Sequence, residues 1–86
     1  MEDTAMLAIE MKDLIATIAK MLVDKPDQVV TTEIKGKQTS VIELKVAKED
    51  IGKVIGKRGR TAQALRGILM SASAKLRKRC TLEILE

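Results

Sequence analysis

Apolar and polar residues follow one another along this chain with two different periods. Over residues 4–23 the apolar positions recur at three- and four-residue steps, which is typical of a helix with one buried face. These positions are Leu7, Met11, Leu14, Ile15, Ile18 and Leu22. Thr4 is a suitable N-cap, and Pro26 disfavours a helical residue before it. A first helix is therefore predicted over about 4–23.

The period then changes to two, which predicts strands with one buried face. The first two such stretches are Val29–Lys35 and Val41–Val46, and Gly36–Ser40 joins them as a hairpin loop. A third stretch covers Cys80–Leu85. The alternation alone does not say which set of the first strand faces the core.

Between the second and third strands, helical spacing returns twice. A short helix is predicted at about Asp50–Ile55, with Asp50 as its cap and with Ile51, Val54 and Ile55 on its inward side. A longer helix is predicted from about Arg60 to Lys78. Its apolar stripe is Ala62, Leu65, Leu69, Ala72 and Leu76. The order α-β-β-α-α-β predicts a two-layer α+β domain.

The composition narrows the classes of function. At 86 residues we expect one domain over 1–86, with no linker. Phe, Tyr and Trp are absent, which excludes recognition by stacking bases on aromatic rings. His is also absent and Cys80 is alone, so the usual zinc spacings and the Cys–His or Ser–His catalytic pairs are missing. We expect no metal, no cofactor and no catalytic residue, hence a protein that is not an enzyme.

The cellular location is predicted from three features. No apolar run approaches the roughly 18 residues that a membrane-spanning helix needs. The beginning, Met1-Glu2-Asp3, is acidic and unlike a signal peptide. A single Cys80 cannot form an internal disulfide and is best explained as a small buried side chain. These features predict a cytoplasmic protein without membrane contact.

Charge is unevenly distributed along the chain. Residues 1–50 hold seven lysines and ten acidic residues, a net charge of −3. Residues 51–86 hold nine basic and two acidic residues, a net charge of +7, and no acid lies between Ile51 and Leu82. Such asymmetry indicates a surface for a polyanion. The basic triplet Arg77-Lys78-Arg79 fits that surface and, equally well, the C-terminus of a helix, where cations are favourable.

Two glycines, Gly56 and Gly59, bracket Lys57 and Arg58 between the predicted helices. Gly56 can adopt a positive φ, and Gly59 leaves the backbone bare for a close approach. The next helix begins directly afterwards, which presents free N–H groups and a positive dipole end. With Lys53 and Arg60 nearby in the sequence, the loop predicts a cationic ledge for a sugar-phosphate backbone.

The segment from Val54 to Thr61 resembles the VIGxxGxx core of K-homology (KH) domains, and the element order resembles their type II form. The whole chain resembles the short bacterial KhpA family. The resemblance implies a three-stranded mixed sheet on three helices, with a KH core at about 28–86. It also implies a single-stranded RNA-binding protein that acts as an RNA chaperone or regulator. By the same resemblance Gly56, Lys57, Arg58 and Gly59 hold the RNA backbone, and Ile51, Val54 and Ile55 form an apolar groove.

The resemblance also concerns partners. It implies a second, larger KH-containing protein as a partner, and a homodimer would serve the same purpose of linking weak sites. Two other functions are compatible with the residues alone. One is a DNA-binding helix-hairpin-helix unit around Ile55–Ala62, although that motif prefers a single apolar residue between its glycines. The other is a protein-interaction adaptor that uses the Met-rich first helix or a sheet edge.

Overall fold

The first helix described, α1, spans Met11–Leu22 in the computed structural model, which describes residues 10–86. The predicted start of this helix, with Thr4 and Leu7, lies outside the described residues. Ile15 is completely buried, as the helical spacing predicts, and Ala19, which lies outside the predicted set, is completely buried as well. Leu22 belongs to the predicted set but is 38% exposed at the end of the helix. The helix ends one residue before the predicted limit, because Val23 is already extended and its N–H donates to the carbonyl of Ala19.

Three strands form one sheet in the order β1-β2-β3. They are β1 (Val30–Lys35), β2 (Thr39–Lys45) and β3 (Arg79–Ile84). β1 runs antiparallel to β2 with Val30 opposite Lys45, and β2 runs parallel to β3 with Thr39 opposite Arg79. The predicted mixed sheet is therefore confirmed. The parallel pair requires a crossover, which the helices between β2 and β3 supply.

The structure shows which side of the edge strand β1 faces the core, which its sequence leaves open. Val29 is buried next to the strand, and Thr31 and Glu33 are half-buried on the same side. The hydroxyl of Thr31 donates to the carbonyl of Lys12 at 3.0 Å, so this side faces α1. Val30 and Ile34 lie on the other side and are 54% and 52% exposed. The more apolar set of β1 thus faces solvent.

The other two helices are α2 (Ile51–Ile55) and α3 (Arg60–Lys75), which pack with α1 on one face of the sheet. The core lies between the helices and the sheet. Its completely buried apolar members include Ile15, Ala19, Ile42, Leu44, Val54 and Leu69. Leu65 and Leu69, from the predicted apolar stripe of α3, are buried in this core. The two-layer α+β architecture is as expected.

Several boundaries differ from the sequence prediction. α3 ends at Lys75 instead of Lys78, because the N–H groups of Arg77 and Lys78 turn back to carbonyls of its last turn. β3 accordingly begins at Arg79 and ends at Ile84, one residue earlier than predicted at each end. The hairpin loop is shorter than expected, since β2 already begins at Thr39.

Cys80 lies in the core at 6% exposure, as predicted. Burial raises the pKa of its thiol. Among residues 10–86, no helix combines the length and the apolar character required to cross a membrane.

Candidate nucleic-acid interface

The loop between α2 and α3 is built on left-handed backbone. Gly56 has φ 77° and ψ 171°, and Gly59 has φ 73° and ψ 13°. A Cβ atom on Gly56 would lie 2.6 Å from Cβ and 2.8 Å from the backbone N of Thr61. At Gly59 such an atom would meet nothing within 4 Å. Gly56 is therefore required for the close approach of Thr61, while Gly59 leaves an open surface beside the backbone.

Arg58 also has a left-handed conformation, with φ 58° and ψ 26°. For a residue with a Cβ this backbone costs on the order of 1–3 kcal/mol, and such residues cluster at functional sites. Three of the four loop residues thus have positive φ, and the chain turns tightly enough to expose Lys57 and Arg58 together. The predicted outward position of these two cations agrees with the geometry.

The first turn of α3 begins immediately after the loop. Its N-cap is Gly59, which has no side chain to accept a hydrogen bond, and its first turn contains no acidic residue. The first N–H groups of a helix have no partner within the helix, and the helix dipole makes this end positive. Arg60 is exposed at this same end. The loop and the helix end together offer N–H donors and cations to an anion.

Lys53 differs from the other cations that the sequence assigns to this surface. Its Nζ lies 2.6 Å from Oδ2 of Asp24 and 3.4 Å from Oδ1 of Asp50. The hydrogen bond to Asp24 raises the pKa of Lys53, and Asp50 contributes in the same direction. Within residues 10–86, neither Lys57, Arg58 nor Arg60 forms an ion pair, whereas Lys53 is occupied.

Asp50 is buried, with 1% exposure, at the head of α2. The prediction that its side chain caps this helix is wrong, since it makes no capping hydrogen bond. Its two oxygens instead accept the N–H groups of Asp24 at 3.3 Å and of Lys25 at 3.0 Å. Burial by itself would raise the pKa of Asp50, but these N–H groups and the Lys53 ammonium outweigh it and lower the pKa. The turn after α1 is thereby attached to α2.

The three residues expected to form an apolar groove are not equivalent. Val54 is completely buried and belongs to the core, whereas Ile51 and Ile55 are half-buried. Ile51 also lines a cavity of about 580 Å³, whose other apolar walls include Val46 and Leu85. Any apolar contact with a ligand on α2 must therefore come from Ile51 and Ile55, with Val54 supporting them from below.

The basic triplet Arg77-Lys78-Arg79 lies beyond the end of α3, and all three side chains are exposed. Arg77 has φ 56° and, like Arg58, is a residue other than glycine with left-handed backbone. The N–H groups of Arg77 and Lys78 donate to carbonyls of the last turn of α3, so the triplet lies directly at the C-terminus of this helix. It is therefore compatible both with the helix dipole and with a nucleic-acid contact. α3 has 16 residues and is about 24 Å long, so the triplet and the loop lie at opposite ends of it.

The described residues contain no group of three or more acidic residues or cysteines that could hold a metal ion. Glu49, the neighbour of Asp50, forms an ion pair with Lys25. That contact lowers the pKa of Glu49. Both adjacent carboxylates are thus engaged with the turn after α1, which agrees with a structural role for them.

A family model and several known proteins that resemble this chain agree on one family. The model of the KhpA/KhpB KH domain matches residues 12–84. "RNA-binding protein KhpA" of Clostridium acetobutylicum is 53% identical over 75 residues, which are 87% of this chain and 100% of that protein. The protein of the same name from Caldanaerobacter subterraneus is 56% identical with the same coverage. The one from Aquifex aeolicus is 54% identical over 88% of this chain and 96% of its own length.

A solved structure shares the fold. The crystal structure of a point variant of Aquifex aeolicus Era bound to GDP·AlF4⁻ superimposes with a TM-score of 0.62 at 19% identity. The match covers 86% of this chain but only 29% of the Era chain. At this identity the likeness concerns the fold alone.

Proposed function

Since the chain belongs to the KhpA/KhpB family of KH-domain proteins, we propose that it binds single-stranded RNA and holds the RNA backbone with the loop Gly56–Gly59. The observation that carries the proposal is the loop itself. Two glycines at positive φ flank two exposed cations that pair with no described carboxylate, and a helix N-terminus follows. Loops of this kind in KH domains clamp about four nucleotides.

Phosphate contacts provide most of the affinity in this proposal. Lys57, Arg58 and Arg60 offer charge, and the N–H groups at the start of α3 offer hydrogen bonds to phosphate oxygens. Gly59 leaves room for the strand to lie directly on the protein backbone. The turn Arg77–Arg79, about 24 Å away along α3, provides a second cationic contact for a longer RNA.

Base recognition must proceed without aromatic stacking, because the chain has no Phe, Tyr or Trp. Ile51 and Ile55 expose part of their side chains on α2, beside the loop. Aliphatic contacts with the faces of bases are less selective than hydrogen bonds to base edges. The RNA preference of the isolated domain is therefore modest, and its affinity depends strongly on salt.

A permissive domain of this size suits an RNA chaperone or post-transcriptional regulator in the cytoplasm, with no catalytic activity. A second KH-containing protein or a second copy of this chain raises the avidity by joining two weak sites on one RNA. These roles rest on the same loop, since each requires the chain to hold RNA without reading a long sequence.

The decisive experiment changes Lys57 and Arg58 to Asp and measures binding of a short single-stranded RNA over a salt series. The matched control changes Lys35 and Lys37 to Asp, which alters the net charge equally at the hairpin. We expect at least a ten-fold loss for the loop variant and little change for the control. The salt slope should fall by about 1.4, since each lost phosphate contact on a single strand contributes about 0.7.

Two results would contradict the proposal. Equal losses in both variants would mean that only net charge matters, and unchanged binding by a folded loop variant would remove the loop from the interface. Duplex DNA in the same assay tests the helix-hairpin-helix alternative, which requires tighter binding to duplex than to single strands. Binding to neither nucleic acid at low salt would favour an adaptor that uses the exposed side of β1, where Val30 and Ile34 lie.

A further inference from the structure

Asp24 and Lys53 join two segments that are 29 residues apart, the turn after α1 and helix α2. The side chain of Asp24 is 75% exposed and the side chain of Lys53 is 44% exposed. An ion pair this open to solvent contributes little to stability. Its two partners can therefore be exchanged for other ions at low cost in folding free energy.

Lys53 lies close enough to the Gly56–Gly59 loop for this ion pair to affect what binds there. Lys53 precedes Gly56 by three residues, less than one helical turn. Its ammonium group is a mobile point charge on a flexible four-carbon stem. A phosphate bound at the loop and Asp24 would thus compete for the same ammonium group, whereas Lys57 and Arg58 have no such competitor among residues 10–86.

We propose that Asp24 limits the RNA affinity of this domain by holding Lys53, and that an RNA phosphate engages Lys53 only by displacing Asp24. The inference rests on the proposed function. Exchange of one anion for another yields little net energy, so Lys53 contributes weakly in the natural protein. Removal of the negative charge at position 24 leaves Lys53 with only the longer, 3.4 Å contact to Asp50, which makes its ammonium group easier for the RNA to engage.

A matched pair of variants isolates this effect. Asp24→Asn and Asp27→Asn each remove one negative charge from the same exposed turn, but Asp27 forms no ion pair within residues 10–86. The contact between the main chain of Asp24 and Asp50 remains in both. We expect Asp24→Asn to bind single-stranded RNA about two- to five-fold more tightly, the range of an exposed ion pair. Its salt slope should steepen by up to about 0.7, one phosphate contact.

Lys53→Gln provides the second measurement, and its effect in the natural background does not depend on the folding of the Asp24 variant. In the natural background this change should reduce the affinity less than Lys57→Gln does, because Asp24 already occupies Lys53. In the Asp24→Asn background it should abolish the entire gain. A double-mutant cycle thus gives the coupling between position 24 and position 53 through RNA binding.

Each result decides the inference. Equal gains for Asp24→Asn and Asp27→Asn would indicate a general charge effect and overturn it. No gain, or a gain that survives Lys53→Gln, would also overturn it, as would a Lys53→Gln loss equal to that of Lys57→Gln. The loop variant with Asp at positions 57 and 58 serves as the reference. If it binds RNA normally, the proposed function fails, whereas if it fails to bind and Asp24→Asn equals Asp27→Asn, only this inference fails.

Discussion

Replacement of Gly56 by Ala tests whether the loop depends on the geometry of one glycine. Gly56 combines φ 77° with ψ 171°, a region that residues with a Cβ almost never occupy. The added methyl group would also lie 2.6 Å from Cβ and 2.8 Å from N of Thr61. Because one of these atoms is backbone, rotation of the Thr61 side chain cannot relieve the contact. The loop or the start of α3 must move.

The magnitude follows from these two effects. The conformation alone costs on the order of 1–3 kcal/mol for a residue other than glycine. The contact with Thr61 adds to this cost, so we expect a loss of at least about 2 kcal/mol in the free energy of unfolding. For a domain of 60–100 residues, 1 kcal/mol corresponds to about 4–8 °C in Tm, which gives a decrease of at least roughly 8–16 °C.

Thermal and urea denaturation, followed by circular dichroism, measure this difference. Gly52→Ala is the matched control, because Gly52 lies within α2 and an added Cβ would meet nothing within 4 Å. That change should be neutral or slightly stabilising, since Ala favours helix over Gly by about 1 kcal/mol. Gly59→Asn should also be tolerated, because its φ and ψ lie in the left-handed region, which Asn adopts more readily than most residues with a Cβ, and the space is open.

A Gly56→Ala protein with the stability of Gly52→Ala would refute this reasoning about the loop. Removal of both γ atoms of Thr61, by Thr61→Ala, should not fully rescue Gly56→Ala, since Cβ and N of residue 61 remain in place. Full rescue would show that only the γ atoms of Thr61 oppose the methyl group. The backbone of the loop would then be less constrained than the geometry indicates.

Two further predictions concern charge. The pKa of Asp50 is lowered in the folded protein, so its stabilising effect is present above its unfolded pKa and is lost as the pH falls through the folded pKa. Asp50→Asn should therefore lower the urea midpoint of unfolding at pH 7. It should also make that midpoint decline less steeply as the pH falls from about 5 to about 2. Parallel plots of urea midpoint against pH for the two proteins would contradict this. Exchange of Arg77 and Lys78 for Glu should weaken binding of a long single-stranded RNA more than that of a four-nucleotide RNA in fluorescence anisotropy, whereas equal losses would place the turn outside the RNA path.

The loop was predictable because its signals are local. The spacing of Gly56 and Gly59 and the start of the next helical stripe lie within a few residues of one another. Glycine lacks a Cβ and adopts positive φ readily, so the positive φ of Gly56 was expected, whereas Gly59 was expected only to leave the backbone bare. The left-handed backbone of Arg58 could not be expected, because nothing in its residue type favours that conformation.

The contacts of Asp50 and Lys53 could not be predicted for a different reason. Asp50 lies 26 and 25 residues from the N–H groups of Asp24 and Lys25 that it accepts. An acidic residue before a helix is ordinarily a good N-cap, so local reasoning assigned that role. In the folded protein the N–H groups of Asp24 and Lys25 lie beside this carboxylate and donate to it. Buried polar groups require hydrogen-bond partners, which explains why the Asp50 side chain binds these two N–H groups instead of capping α2.

The face of β1 was ambiguous because the strand lies at the edge of the sheet. The set with Val30 and Ile34 is the more apolar one, whereas Val29 shares its side with Thr31 and Glu33. The position of α1, which accepts the hydroxyl of Thr31, selects the second set. An edge strand with an apolar outer face is also open to pairing with another chain, which is where an adaptor function would begin.

The distribution of charged residues along the sequence differs from their distribution in the folded protein, and this difference affects the proposed RNA site. The segment from Ile51 to Leu82 contains no acid, yet the fold brings Asp24 and Asp50 to Lys53 at its beginning. No described carboxylate pairs with Lys57, Arg58 or Arg60, so the cations without an ion pair lie at the loop and the first turn of α3, whereas Lys53 in α2 is paired. On the proposed function, RNA is therefore attracted first to the loop, where the backbone is already shaped for it, and Lys53 can join only afterwards. On that inference the order of contacts depends on Asp24 and Asp50, two acidic residues that lie outside the second half of the chain.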